Sequence, residues 1–240
     1  MLFYRIYQCI VMIPLVVVLT ILTASSIIVV SLLRIERRSS YIIAKCWARL
    51  FCALTWVRVE VHGRENIAKG QSYIFVANHQ GAYDIFAIYG YLGHNFRWMM
   101  KKALERIPFV GVACRLAGHI YVDSSSPKAI KQTMDTAEKR LAGGLSVVVF
   151  PEGTRSADGR LKNFKRGAYI LADHFNLPVV PVTIDGAYRV MPRNARLPRP
   201  GRIVLTIHPA ITAGAEGHDV PALIKQSRDA IASALPEAQR

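Results

Sequence analysis

Two short stretches of this 240-residue chain set reactive side chains at spacings that suit chemistry. The first is Asn78-His79-Gln80-Gly81-Ala82-Tyr83-Asp84, directly after the apolar run Tyr73 to Ala77. A carboxylate beside a histidine holds one ring nitrogen, fixes the tautomer and stabilises the imidazolium, which leaves the other nitrogen free to take a proton as a general base. Chance alone gives roughly 0.2 His–Asp pairs at this spacing in a chain of this composition, so the pattern draws its weight from context. Five residues along a regular α-helix turn through about 500° and leave two side chains roughly 140° apart. His79 and Asp84 therefore meet only if His79 sits in the turn before a helix and Asp84 lies in or near its first turn, pointing back. A structural histidine hydrogen-bonded in a turn is the plain alternative.

The second stretch is Val147-Val148-Val149-Phe150-Pro151-Glu152-Gly153-Thr154-Arg155-Ser156. An apolar strand stops at Pro151, which cannot continue a ladder, and hands over to a carboxylate, a glycine, a hydroxyl and a guanidinium. Arginine beside glycine and threonine suits a phosphate, because the guanidinium fork donates bidentately while hydroxyl and backbone N–H groups add donors. Lys162, Lys165 and Arg166 follow closely. For those cations a solvated basic loop is the competing reading.

Positioning these groups falls to the elements of an α/β domain. Strand-like runs are Val57 to Val61, Tyr73 to Ala77, His119 to Val122, Ser146 to Phe150, Val179 to Ile184 and Arg202 to Ile207. Between them Ile130, Met134, Ala137 and Leu141 recur at helical spacing, with Ser126-Pro127 before and Gly143-Gly144 after, which predicts a capped amphipathic helix. Asp219 to Leu235 reads the same way, with Leu223, Ile224 and Ile231 on one face. This alternation predicts a mixed, largely parallel sheet flanked by helices over residues 58–240. Ligands in such folds bind where a strand end opens into a helix, which is where His79 stands.

The chain carries 31 Lys+Arg against 16 Asp+Glu, a net charge of +15, yet is 52% hydrophobic. That combination excludes a disordered basic tail and leaves nucleic acid or an anionic membrane surface as partners. Cys9 to Leu33 contains no charged side chain; as a helix it reaches roughly 37 Å, enough to cross a hydrocarbon core of about 30 Å. A nucleic-acid binder has no use for such a run. Arg5 precedes it and Arg34, Arg37 and Arg38 follow, so the positive-inside rule predicts a cytoplasmic domain on the cell's inner membrane. A cleaved signal cut near Thr23-Ala24-Ser25-Ser26 is the rival, although the apolar run continues past that point. Tyr41 to Val57 is aromatic but carries Lys45 and Arg49 one helical turn apart, which suits either the headgroup plane or a helix packed on the domain. Residues 1–57 thus read as a membrane-anchoring helix pair, transmembrane over 9–33 and interfacial over 41–57. Arg189, Arg193, Arg196, Arg199 and Arg202 form a cationic, proline-rich loop that either faces anionic headgroups or is simply solvated. Cys9, Cys46, Cys52 and Cys114 form no C-x-x-C pair, which argues against a disulfide scaffold or a zinc site.

Asn-His-x-x-x-x-Asp followed by Phe-Pro-Glu-Gly-Thr-Arg-Ser resembles the glycerolipid acyltransferase family, the group that includes 1-acyl-glycerol-3-phosphate acyltransferases. The likeness runs over roughly residues 58 to 210 and includes Lys101-Lys102-Ala103-Leu104, Ile107-Pro108-Phe109-Val110-Gly111 and Leu177-Pro178-Val179-Val180-Pro181-Val182. The N-terminal apolar pair is similar to the membrane-seated two-helix element of bacterial members. The resemblance implies acyl transfer from acyl-CoA or acyl carrier protein to a lysophospholipid hydroxyl, with His79 as base and Asp84 as its support. It implies that Glu152, Gly153, Thr154 and Arg155 bind the acceptor's phosphoglycerol end, assisted by Lys101 or Lys102. It implies neither a cofactor nor a metal. Two departures stand out: Ser124 replaces the family's arginine in its second block, and Ala103 replaces the glutamate after the lysines. They touch the acceptor's identity, and a lysolipid without phosphate or glycerol 3-phosphate itself is the alternative acceptor. A non-catalytic, membrane-anchored lipid-binding protein is the reading from a different class, and it has no need of an intact His79–Asp84 pair.

Overall fold

The computed structural model describes residues 2–35, 37–123, 125–141, 144–212 and 219–240. Its strands are β1 (Val57–His62), β2 (Ile74–Ala77), β3 (Phe96–Lys101), β4 (Ile120–Val122), β5 (Ser146–Val149), β6 (Val179–Asp185) and β7 (Gly201–Ile207). They form one sheet in the order β1-β7-β6-β2-β5-β3-β4. Every neighbouring pair is parallel except β6 and β7, so the sheet is mixed and largely parallel, as the alternation of elements requires.

Helices cover both faces, and the strand sequences show why. Along β2, Ile74 and Val76 point into one buried cluster and Phe75 and Ala77 into another. A parallel strand covered on both faces needs an uninterrupted apolar run rather than alternation. One layer holds α6 (Pro127–Leu141), α7 (Gly167–His174) and α9 (Val220–Ser233), through Ala137, Leu171, Leu223 and Ile231. The other holds α3 (Arg37–Leu54), α4 (Asp84–Tyr91), α5 (Val110–Leu116) and α8 (Ala187–Val190), through Ala48, Ala87, Ala113 and Ala187. The helices expected from the Ile130 and Leu223 patterns form as read. Strand β3 is not visible in the sequence pattern, because Arg97 interrupts it. That side chain is 1% exposed, and its guanidinium is tied to the Asn95 side chain and the Phe96 carbonyl.

The N-terminal apolar segment is longer than its uncharged stretch. Helices α1 (Leu2–Tyr7) and α2 (Ile13–Leu32) are joined by a π-turn over Gln8–Met12 into one rod, Leu2–Leu32. Pro14 at the start of α2 lacks an N–H for the preceding turn, and the wider π-turn absorbs that loss. Both ends of the rod touch the domain. Tyr4 and Tyr7 donate to the carbonyls of Thr55 and Leu54 at 3.0 and 2.9 Å, and the Gln8 amide donates to the Pro198 carbonyl at 2.7 Å. Further along, Ala24 and Ile27 lie in the buried cluster that contains Tyr41, Ala113 and Ala117. The Thr23–Ser26 stretch weighed as a cleavage site thus runs through the core contact.

Helix α3 packs on the domain. Tyr41, Ala44, Ala48 and Cys52 recur every three or four residues and are buried, so this face belongs to the core. Arg49 reaches the Gly90 carbonyl at 2.8 Å and lies over the Tyr91 ring, while Ile42 and Leu50 face outward. The helix stops at Leu54 because Val57 already pairs with Gly201 in β1.

Candidate active site

Strand β2 ends where Asn78 stops it. The buried Asn78 amide donates to the Ile184 carbonyl at 2.9 Å and accepts from the Ile184 N–H at 2.7 Å. A side chain thereby imitates one more backbone pairing with β6, and the backbone itself is released to turn. His79 follows in that turn and Asp84 opens α4, which is the arrangement the five-residue spacing demands.

The Nδ1 atom of His79 lies 2.7 Å from Asp84 Oδ2. The same oxygen accepts the Gln80 N–H at 2.7 Å and the Gly81 N–H at 2.9 Å. An oxygen that already accepts two backbone donors is the acceptor for the ring as well, so Nδ1 carries the hydrogen and Nε2 presents its lone pair. Asp84 is fully buried, whereas the His79 side chain is 16% exposed. Among the described residues Nε2 makes no hydrogen bond. Beneath the imidazole the Phe150 ring stacks at 4.0 Å and 8°, and Trp98 stacks on Phe150 at 5.3 Å. These rings hold the imidazole plane; Phe150 read in the sequence as a strand residue, and Trp98 sits in the strand that the pattern hid.

Glu152 lies directly behind this pair. Its Oε1 accepts the His79 N–H at 2.7 Å and its Oε2 accepts the Lys162 N–H at 3.1 Å. The Ser156 N–H in turn donates to the His79 carbonyl at 2.8 Å. Both peptide groups of His79 are thus fixed by the loop that follows β5. Burial, the largest influence on Glu152, pushes its carboxyl above the ordinary range against the pull of the two N–H donors. Both carboxylate oxygens face protein donors, so the side chain ties two loops together rather than pointing at a ligand.

Gly153 takes a φ of 72° as the chain turns back, with its N–H on the Phe150 carbonyl at 3.0 Å. A Cβ there would only crowd the end of the Lys165 side chain, at 3.0 Å, so it is the positive φ that favours glycine. Lys162 Nζ donates to Thr154 Oγ1 at 2.7 Å, and Arg155 is half-buried with no hydrogen bond or ion pair among the described residues. Lys162 is thus a partner of the threonine that sequence reasoning noted only as one cation of a basic loop. Lys101 ends β3 and is exposed; Lys102 pairs with Asp123 at 2.8 Å. Both lie at the sheet edge that carries His79, but no contact ties them to His79, Thr154 or Arg155. Ser124 lies outside the described residues. No three His, Cys, Asp or Glu side chains come together among the described residues in a way that could hold a metal ion.

The family model described as Acyltransferase matches residues 58–185. A 1-acyl-sn-glycerol-3-phosphate acyltransferase from Chlamydomonas reinhardtii is 31% identical over 84% of this chain and 60% of its own length. A chloroplastic enzyme of the same name from Arabidopsis thaliana is 30% identical over 83% and 55%. The chain therefore spans between half and two thirds of those plant and algal relatives. The Pseudomonas aeruginosa protein of that name is 34% identical over 77% of this chain and 72% of its own. The crystal structure of a 1-acyl-sn-glycerophosphate acyltransferase from Thermotoga maritima superposes with a TM-score of 0.72 at 27% identity, covering 86% of this chain and 84% of that one.

Proposed function

The chain belongs to the acyltransferase family, and from that premise we propose that it is an O-acyltransferase. In this reading it moves a fatty acyl group from acyl-CoA or acyl carrier protein to the free hydroxyl of 1-acyl-glycerol-3-phosphate, giving phosphatidic acid. The observation that carries it is the 2.7 Å contact of His79 with buried Asp84, which leaves Nε2 open.

The acceptor hydroxyl gives its proton to His79 Nε2 as its oxygen attacks the thioester carbonyl carbon. Asp84 stabilises the imidazolium that forms. The tetrahedral intermediate collapses, the C–S bond breaks, and the imidazolium returns the proton to the departing sulfur. The acceptor hydroxyl thereby takes the place of a nucleophilic serine, so no acyl-enzyme and no cofactor enters. Thr154 and Arg155, with Lys162 beside them, would hold the acceptor phosphate, since an unpaired guanidinium next to a hydroxyl is a ready anion site. Glu152 positions His79 through its backbone and does not meet substrate.

The apolar rod supports a membrane-seated enzyme. Because both ends of that rod touch one domain, we read it as lying along the bilayer surface in one leaflet rather than crossing to the far side; the proposed donor, acyl-CoA or acyl carrier protein, is what puts the domain on the cytoplasmic face. The cationic loop belongs to the same face: Gln8 binds its Pro198 carbonyl. Arg189 and Arg202 pair with Asp185 and Glu60, whereas Arg193, Arg196 and Arg199 are exposed and left for headgroups.

The test is His79→Ala in the full chain. Removing the base should lower kcat/KM by about 10²- to 10⁴-fold with unchanged circular dichroism and membrane recovery. Turnover near the wild-type rate would reject the mechanism.

A further inference from the structure

Beyond the catalytic loops, the segment Lys101 to Leu116 shows more than its packing requires. The turn Lys102–Arg106 and α5 present Leu104, Ile107, Phe109, Val112 and Leu116 to solvent, each at least 40% exposed. On its inner side, Ala113 and Ala117 pack into the cluster that contains Ala24 and Ile27 of α2. At the tip, Phe109 is held at φ 60° and ψ −51°, with the Val110 N–H on the Pro108 carbonyl at 2.6 Å. This is the positive-φ γ-turn, rare and strained for any residue with a Cβ. Glycine would relieve the strain, yet the position carries an aromatic ring that is 54% exposed. Lys101, Lys102, Arg106 and Arg115 border the patch; Lys102 pairs with Asp123 and Arg115 with Glu105, which leaves Lys101 and Arg106 without an acidic partner among the described residues.

We infer that this segment is a second lipid-contacting element, inserting Ile107, Phe109 and Val112 into the leaflet of an anionic bilayer in which α2 lies. The inference rests on the membrane-seated reading above. Three observations choose lipid over a protein partner. Helix α5 packs directly on α2, so its outward side chains continue the apolar surface of that helix. The two cations left unpaired beside the patch, Lys101 and Arg106, complement anionic headgroups. Last, the segment leaves β3 at the sheet edge that carries His79, so its insertion lowers the mouth of the site to the depth of the acceptor's glycerol. An exposed apolar patch with a polar rim is the usual mark of such a surface.

The experiment places an environment-sensitive nitrobenzoxadiazole label at position 109 or 15. Cys9, Cys46 and Cys114 are replaced by serine in the full chain; Cys52 stays, because burial pushes its thiol up to about 12 and leaves it unreactive. Phe109→Cys and Leu15→Cys variants are labelled and added to phosphatidylcholine–phosphatidylglycerol vesicles. The label at 109 should brighten several-fold, be quenched by spin-labelled lipid and be shielded from aqueous iodide. If 109 stays open to iodide while 15 reports bilayer, the inference falls and the anchor stands; if both stay in water, both fall. Shielding of 109 before any lipid is added would mean a protein contact and would also overturn it. In the native-cysteine chain, Phe109→Asp should cut kcat/KM for a vesicle-borne lysolipid by about tenfold and leave a short-chain, monomeric acceptor unaffected. An equal loss on both acceptors would count against a role in lipid access.

Discussion

Replacing Glu152 with glutamine separates a residue that binds substrate from one that builds the site. The carboxylate is a double acceptor, taking the His79 N–H at 2.7 Å and the Lys162 N–H at 3.1 Å. Glutamine has the same shape but one acceptor and one donor, so either way round its NH₂ meets a backbone N–H. The loss is one charge-assisted hydrogen bond, about 1.5–3 kcal/mol, plus a buried unpaired donor at about 1–3 kcal/mol. Relief from burying a charge, the larger influence behind the raised Glu152 pKa, offsets most of this. What is left is the clash of the NH₂ with the facing N–H, a net destabilisation of no more than about 1 kcal/mol. Because the donor that moves is the peptide of His79 itself, a shift approaching 1 Å at the base should lower kcat by about 10²-fold. The KM for the acceptor should stay within about twofold, since neither carboxylate oxygen faces it. The assay is kcat and KM with acceptor varied at saturating donor, with thermal unfolding alongside. A raised KM at normal kcat would show that Glu152 touches the acceptor and would refute the clamp. The same substitution carries a pH signature. A carboxyl whose folded-state pKa lies above its unfolded value takes up its proton in the folded chain first, so acidification through that window favours folding. The contribution is lost as pH rises through the folded pKa. Denaturant titrations across this window should show that slope in the wild type and not in Glu152→Gln; identical slopes would refute it.

Other substitutions probe the neighbouring contacts. Asp84→Asn keeps an oxygen for the three donors now on Oδ2 but loses the charge behind the imidazolium, and its NH₂ falls where buried Oδ1 has no partner. It should lower kcat by about 10²- to 10⁴-fold at little change in acceptor KM; a near-normal kcat would mean that the charge is idle. Arg155→Ala removes a side chain without partners among the described residues, so unfolding should shift by no more than about 0.5 kcal/mol. Its KM for a phosphate-bearing acceptor should rise about tenfold, and an unchanged KM would place the clamp elsewhere. Gly81→Ala sets a Cβ 2.5 Å from the Ala187 carbonyl oxygen and 2.8 Å from that of Met191. Overpacking against backbone should destabilise by about 1–3 kcal/mol and lower kcat through the His79 loop; an unshifted melting temperature would contradict the packing.

What the sequence reveals and what it hides divide along physical lines. The His79–Asp84 pair is legible because the spacing allows contact in only one local arrangement, a turn that runs into a helix start. Strands β2, β5 and β6 are legible because a sheet covered on both faces demands continuous apolar runs, and β1 and β7 because apolar residues alternate along them. Strand β3 is hidden because a buried arginine bonded to the neighbouring Asn95 and Phe96 looks, in sequence, like a surface residue. The clamp of Glu152 on two backbone N–H groups is hidden for a different reason. A carboxylate in a loop looks the same whether it faces a substrate or the peptides of a distant turn, and only the fold brings residues 79 and 162 to its two oxygens. Side-chain-to-backbone bonds such as those of Asn78 and Gln8 leave no pattern at all.

The burial of α3 has a consequence for how this protein can be handled. Ala44, Ala48 and Cys52 belong to the same buried cluster as Ile203 and Leu205 of β7 and Ala87 of α4. The greasy N-terminal hairpin is therefore part of the folding unit and cannot be treated as a detachable tether. Trimming residues 1–57 to obtain a water-soluble fragment would open one face of the sheet and expose that cluster, so the fragment should aggregate rather than work in solution. A protease that nicked the chain between hairpin and domain would not free a soluble enzyme. The segment offered to lipid is thus also part of the core, so a truncation that removes the one takes the other with it.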